Sequence, residues 1–361
     1  MMNARAIAFY LPQFHPIPEN DLWWGKGFTE WTNTAKARPM FRGHYQPHVP
    51  ADLGFYDLRV PETRVHQAEM AAAYGIEGFC YYHYWFAGRR ILERPFNEVV
   101  ASSSPDFPFC LCWANETWSG IWHGAPNKTL IEQTYPGEAD HRAHFEALLP
   151  AFQDPRYIRV DGKPAFVIYH PLKLPDVSAT LRLWRAMAFE AGLPGLHMIA
   201  YSLALDEDPE AVGYDAVIHG HNFKLKPWRN DWRNPLARVR QKINHRLGVP
   251  HVHDYADLTA SQMTARDGDN VYRCVVHAWD NTPRSGMNGV AYKNPDPELF
   301  REVLDVAVKA MSNRPLDRRL IFLKSWNEWA EGNHLEPDLR YGMAYLKVVA
   351  DVLQGDAALS A

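Results

Sequence analysis

Short apolar runs with strand character recur along the whole chain, and helical or turn signals separate them. Ala6–Leu11, Glu77–Tyr82, Phe107–Trp113, Ala165–Tyr169, Leu196–Tyr201, Ala216–His219, Tyr272–His277 and Leu320–Lys324 read as strands. Pro61–Tyr74 reads as a helix: Pro61 suits a first turn, Val65, Ala68 and Ala72 mark one face, and Gly75 ends it. The turn pair Asp161-Gly162 precedes the fourth strand. Alternation of this kind builds βα units around a parallel sheet, and eight strands are enough to close a barrel. A chain of 361 residues, 47% of them hydrophobic, can bury the core of one such barrel and fits it better than two linked domains. The expectation is a single α/β domain over residues 1–361, a (β/α)8 TIM-type barrel with elaborated βα loops.

Composition narrows the partners. A net charge of −4 argues against bulk nucleic-acid affinity, whereas 13 Trp, 17 Tyr and 17 His suit a polar, aromatic cleft. The N-terminal residues contain no apolar stretch of signal-peptide length, and no run is long enough for a membrane span, so a cytoplasmic location is expected. Cys80, Cys110, Cys112 and Cys274 fall inside strand-like runs and read as buried free thiols, with Cys110 and Cys112 expected on opposite faces of their strand. His-x-His pairs at 219–221 and 251–253 lack a second ligand cluster at usual spacing, and there is no glycine-rich phosphate loop. Neither a metal nor a cofactor is expected. Asp206-Glu207-Asp208 offers a superficial metal-diphosphate motif, although acidic loops are more often simply solvated.

The stretch Lys324-Ser325-Trp326-Asn327-Glu328-Trp329-Ala330-Glu331-Gly332 follows the last strand and presents two carboxylates among indoles. Cleavage of a glycosidic bond needs one group to protonate the leaving oxygen and a second to assist at the ring, and paired carboxylates are the common solution. Tyr82–Trp85, Trp113–Glu116, His219–Asn222 and Trp279–Arg284 likewise follow strand runs, at the end of a barrel where active sites are built.

These motifs carry a resemblance. Ser325–Glu331 continued by Gly332–Asp338 and Arg340–Gly342 resembles the C-terminal signature of WbsX-type glycosyltransferases, a family related to family 99 glycoside hydrolases (endo-α-1,2-mannosidases and mannanases). Phe9–His15, Trp23–Trp31, Gly43–His48, Gly78–Phe86, Cys112–Glu116 and Trp279–Arg284 resemble further blocks of that family in the same order. The resemblance implies that Glu328 is a base at the sugar 2-hydroxyl, forming a 1,2-anhydro sugar, and that Glu331 is the general acid/base. That division needs Glu328 ionised and Glu331 protonated at rest, which mutual repulsion and burial by Trp326 and Trp329 could create.

A conventional pair of Glu116 with Glu328 is the alternative mechanism; otherwise Glu116 is a sugar-hydroxyl ligand. The other candidate substrate ligands are Tyr10, Gln13, His15, Tyr82, His83, Trp85, Trp113, Asn115, Trp118, Trp122, His219, His221, Asn222, Trp279, Asn281, Arg284, Trp326 and Asn327. Of His219 and His221, one is expected to face the cleft. Arg284 could fork onto a substrate or form an ion pair with one of the glutamates. Residues 224–250 interrupt the barrel rhythm with a basic amphipathic helix, read either as a barrel helix with a solvated face or as a contact, over 224–246, with an anionic membrane or acidic glycan. The expected function is retaining hydrolysis of a cell-surface oligosaccharide or polysaccharide, with glycosyl transfer in O-antigen or other surface-polysaccharide assembly as first alternative and a non-catalytic glycan-binding barrel as second.

Overall fold

Strands of a parallel barrel are covered on both faces, so they read as continuous apolar runs, and here each is buried nearly end to end. The structure, a computed structural model, describes residues 3–120, 125–203, 208–219 and 248–354. The barrel strands are β1 Arg5–Tyr10, β2 Ile76–Phe86, β3 Phe109–Trp113, β4 Lys163–Ile168, β5 His197–Tyr201, β6 Ala216–His219, β7 Val271–Val276 and β8 Leu320–Lys324. Each pairs in parallel with the next, and β8 returns to β1 to close the sheet, so that Ala8 lies opposite Leu323 on one side and Phe79 on the other. This is a (β/α)8 barrel.

The expected strands are all present, with ends moved by a residue or two. The exception is β2, which runs on to Phe86 because Tyr84–Phe86 pair antiparallel with Arg89–Ile91, carrying Tyr84 above the rim. Alternation along β1 decides which side chains fill the barrel. Phe9 points inward and stacks on Tyr82 at 5.6 Å and Phe322 at 5.5 Å, with Tyr201 edge-on at 5.4 Å. Tyr10 points outward, against Phe79 and Tyr81, and its hydroxyl donates to Gln67 Oε1 at 2.7 Å. Each large side chain fully buried in this way contributes about 2–3 kcal/mol.

The helix expected at Pro61–Tyr74 spans Pro61–Ala73 and ends through Gly75, whose φ is +81° and whose hydrogen faces Gln354, where a Cβ would come within 2.7 Å. All four cysteines are buried free thiols. Cys110 and Cys112 do not diverge, however: with one residue between them they share a face of β3, and both interact with Cys80. Among the described residues no helix is long and apolar enough to cross a membrane. Trp122, Asp206, His221, Asn222 and the basic segment 224–246 lie outside the described residues.

Candidate active site

Past the end of β8 the chain is held tightly before it reaches the glutamates. Ser325 Oγ accepts the Glu328 N–H at 3.0 Å and donates to the Asn333 carbonyl at 2.6 Å, while the Asn327 amide grips both backbone groups of Leu11 at 2.7 and 3.0 Å. Glu328 ends the two-residue strand Asn327–Glu328, and Glu331 ends the single turn Trp329–Glu331. Gly332 closes that turn at φ +55°, its missing side chain leaving room for Asp280, whose N–H donates to the Glu331 carbonyl at 2.6 Å.

One guanidinium organises the carboxylates. Arg284, on the short helix Thr282–Ser285, donates from Nε to Glu30 Oε1 at 2.8 Å, from Nη2 to Glu328 Oε2 at 2.9 Å and from Nη1 to Glu331 Oε1 at 2.6 Å. Burial works against the arginine's charge, but Glu30, Glu331 and Glu328 outweigh it and hold the group well above its ordinary range. For Glu328 the balance goes the other way. Burial first and the Glu331 charge second raise its carboxyl to about 7, against the opposing pull of Arg284 and Lys324. Three acids therefore share one arginine, and the most enclosed of them on the loop after β8, Glu328, is held in its protonated form to higher pH than an ordinary carboxyl.

The two glutamates open onto a cleft of about 430 Å³ at the C-terminal ends of the strands, walled by Trp24, Tyr82, Tyr84, Trp118, Tyr169 and Trp279 and edged by Gln13, Asn281 and Lys324. Lys324 Nζ lies 3.3 Å from the Tyr201 hydroxyl and 5.4 Å from the centre of the Trp279 ring. Glu116 lines the same cleft, half exposed, with His170 Nε2 at 3.0 Å from its Oε2. Carboxyls that can exchange a proton beside aromatic faces are the equipment for acid–base work on a polyhydroxy substrate.

A model of the glycosyltransferase WbsX family matches residues 6–349. The chain belongs to the WbsX family. It is 40% identical over 356 residues to "Uncharacterized protein WxcX" of two strains of Xanthomonas campestris pv. campestris, and it spans about half the length of those curated relatives. Among solved structures it is similar to a glycoside hydrolase-like protein (TM-score 0.59, 16% identity, 98% of this chain and 94% of that one). It is also similar to the GH99 endo-alpha-mannosidase of Bacteroides thetaiotaomicron (TM-score 0.58, 15% identity, 97% and 96%). The barrel of this WbsX chain is therefore shared with glycoside hydrolase family 99.

Several of the family's motif residues serve the frame of the site and not its surface. Tyr10, His83, Trp85 and Trp113 occupy outward positions on their strands. His83 Nε2 meets His144 Nε2 at 2.7 Å, Trp85 stacks on His144 and donates to Asp140, and Trp113 packs between His144 and Trp184. His15 is buried with Nδ1 on the Pro12 carbonyl at 2.9 Å, and Asn115 ties the end of β3 to the second residue after β4 through both backbone groups of His170. His219 is buried at the end of β6, outside the cleft lining. Trp326 turns to Phe79, and Trp329 lies between Trp31 and His334 with its N–H on Glu336, so neither indole lines the cleft that Glu328 and Glu331 face. For Tyr10, His83, Trp85 and Trp113 the reason is the strand itself, whose successive side chains point to opposite faces. Gln13, Tyr82, Glu116, Trp118, Trp279, Asn281, Arg284, Glu328 and Glu331 do line it. Sequence reasoning missed Glu30, Tyr84, Tyr169 and Lys324. A charged residue ending an apolar strand marked Lys324, and a glutamate between Phe28 and Trp31 marked Glu30.

Proposed function

We propose that this chain is a retaining glycoside hydrolase acting on a cell-surface oligosaccharide or polysaccharide, with Glu328 as base at the sugar 2-hydroxyl and Glu331 as general acid/base. The observation that carries this reading is the pair Glu328 and Glu331 on one guanidinium, facing an aromatic-walled cleft at the catalytic end of the barrel. In the first step Glu328 takes the proton of the 2-hydroxyl, O2 attacks the anomeric carbon, the glycosidic C–O bond breaks and Glu331 protonates the leaving oxygen. In the second, Glu331 takes a proton from water, the hydroxide opens the three-membered ring at the anomeric carbon, and Glu328 returns its proton to O2. Each step leaves the pair with one proton in all. A carboxyl raised to about 7 beside a second carboxylate supports that requirement, since it lets the pair hold a single proton near neutrality. Trp118 and Trp279 offer faces on which sugar rings can stack. By likeness to the endo-mannosidases, mannose- or deoxyhexose-containing glycans are the first substrates to try.

The family's name favours a second reading, glycosyl transfer from a sugar nucleotide. A donor diphosphate needs a metal or a cationic clamp, but each guanidinium nitrogen of Arg284 already serves a carboxylate. Screening glycans with NMR of the products, beside calorimetry with sugar nucleotides with and without Mg²⁺ or Mn²⁺, separates the two. Hydrolysis with net retention, failure on a 2-deoxy substrate and no nucleotide binding are expected. Cleavage of the 2-deoxy sugar, with Glu116→Gln as inactive as Glu328→Gln, would make the conventional Glu116–Glu328 pair the mechanism. Micromolar binding of a sugar nucleotide in the cleft, lost on substitution of Arg284 or Asp206, would make transfer the function.

A further inference from the structure

Two motif blocks that the reaction does not use meet behind the catalytic turn. His48 ends the block Gly43–His48, and His334 and Asp338 belong to the segment that follows Glu331. All three are buried. His48 Nδ1 lies 2.8 Å from His334 Nε2, and Asp338 Oδ2 lies 3.8 Å from the first and 3.9 Å from the second. A hydrogen bond between the two rings explains the short edge. The other two edges exceed hydrogen-bond length, so that Asp338 Oδ2 stands beside two ring nitrogens without bonding either. Three atoms each about 2.1 Å from a shared tetrahedral ion stand roughly 3.4 Å apart, and the observed edges straddle that value.

The surroundings orient each group toward the shared point. His334 Nδ1 is 2.9 Å from the Glu336 carbonyl, so that it carries the proton and leaves the Nε2 lone pair facing His48 and Asp338. Asp338 is anchored by its other oxygen, Oδ1, which accepts the N–H groups of Arg340 at 2.9 Å and Tyr341 at 2.6 Å. Both rings are fixed by stacking, His334 on Trp329 at 3.6 Å and His48 on Tyr45 at 4.3 Å. The neighbouring acid, Asp280, is engaged separately with His44 at 2.6 Å and Gln46 at 2.7 Å.

We propose that His48 Nδ1, His334 Nε2 and Asp338 Oδ2 form a structural site for a divalent cation of the zinc type, which fastens the Gly43–His48 loop to the segment carrying the catalytic turn. Two imidazoles and one carboxylate are a borderline donor set that suits Zn²⁺ better than the all-oxygen preference of Mg²⁺ or Ca²⁺. Water or the Tyr45 hydroxyl, which hydrogen-bonds Asp338, completes the coordination. The ion does no chemistry on substrate. Its effect reaches the cleft because His334 pairs with Asn327 across the short ladder that ends in Glu328.

Elemental analysis of the purified chain, with calorimetric Zn²⁺ titration after removal of metal by dipicolinate, tests this. Stoichiometric zinc, a melting temperature lowered by the chelator and restored by Zn²⁺, and at least ~10-fold weaker zinc affinity in His48→Gln and Asp338→Asn are expected. If either variant misfolds by circular dichroism, Co²⁺ added to the apo wild type should still give ligand-field bands of a four-coordinate nitrogen–oxygen site. A chelated wild type that takes up no stoichiometric Zn²⁺, equal zinc in wild type and folded variants, or Co²⁺ that remains hexa-aqua in spectrum would overturn the proposal.

Discussion

Glu328 and Glu336 lie on the same loop, both are buried, and both carboxyls are pushed up to about 7, yet their surroundings have little else in common. Glu328 faces the cleft and feels two charges of each sign: Glu331 and Glu30 against Arg284 and Lys324. Glu336 is sealed behind the turn, among neutral donors: Tyr56 Oη at 2.8 Å, Gln67 Nε2 at 2.6 Å and Trp329 Nε1 at 2.5 Å. Burial raises it and those hydrogen bonds oppose the rise. A perturbed carboxyl is thus a sign of burial, and becomes a sign of function only where open space and a second acid accompany it.

The largest expected effect sets the two apart in turnover. Glu328→Gln and Glu331→Gln should each lower kcat by roughly 10³-fold or more with the fold intact, whereas Glu336→Gln should stay within about 10-fold of wild type. Steady-state kinetics with circular dichroism as control decides it, and a Glu336→Gln enzyme as inactive as Glu328→Gln would erase the distinction drawn here. Next in size is Arg284→Lys. An ammonium cannot hold three carboxylates in a planar fork, so kcat/KM should fall by about 10–100-fold. A variant with wild-type kinetics would mean that the shared guanidinium does not position the pair.

How much of this was legible beforehand depends on the scale of the feature. Eight strands and their closure were readable because strands buried on both faces leave uninterrupted apolar runs, Ala216–His219 and Leu320–Lys324 among them with both ends as expected. The motif positions were readable for the same reason: they follow those runs. What could not be read was orientation. Tyr82 and His83 are neighbours, and β2 sends one into the cleft and the other to His144. Nor could the sequence reveal that Arg284 would gather Glu30 from far along the chain, since that contact exists only once the barrel has closed. The surroundings of Glu328 were hidden for a related reason: Trp326 and Trp329 pack elsewhere, and the enclosure of Glu328 comes from the whole rim.

A third test uses pH to sharpen the contrast. In the proposed mechanism the pair Glu328 and Glu331 needs its one proton, and a carboxyl at about 7 loses it as pH rises past that value. The profile of kcat/KM should therefore bend near pH 7 and fall about tenfold per unit above it. Glu336→Gln should leave that bend in place. Activity flat to pH 9 would show that neither glutamate must carry a proton in the free enzyme.

The smallest effect is one in which the two glutamates should look alike. Each has a folded-state value raised from 4.5 to about 7, so the folded protein binds the proton more tightly than the unfolded chain does. The stability contributed by each is fully present below the unfolded value and is lost as pH rises through about 7, a change on the order of a few kcal/mol per group at most. The melting temperature of the wild type should accordingly fall by a few °C between pH 5 and pH 8. Glutamine has no proton to lose, so the decline should be shallower in Glu328→Gln and shallower again in Glu336→Gln, whose carboxyl is held by neutral donors. The same substitutions that differ by orders of magnitude in turnover should thus move the thermal pH profile in one direction. If only Glu328→Gln flattens it, the Glu336 carboxyl is ionised in place by its three donors, and the resemblance between the two sites fails on stability as well as on catalysis.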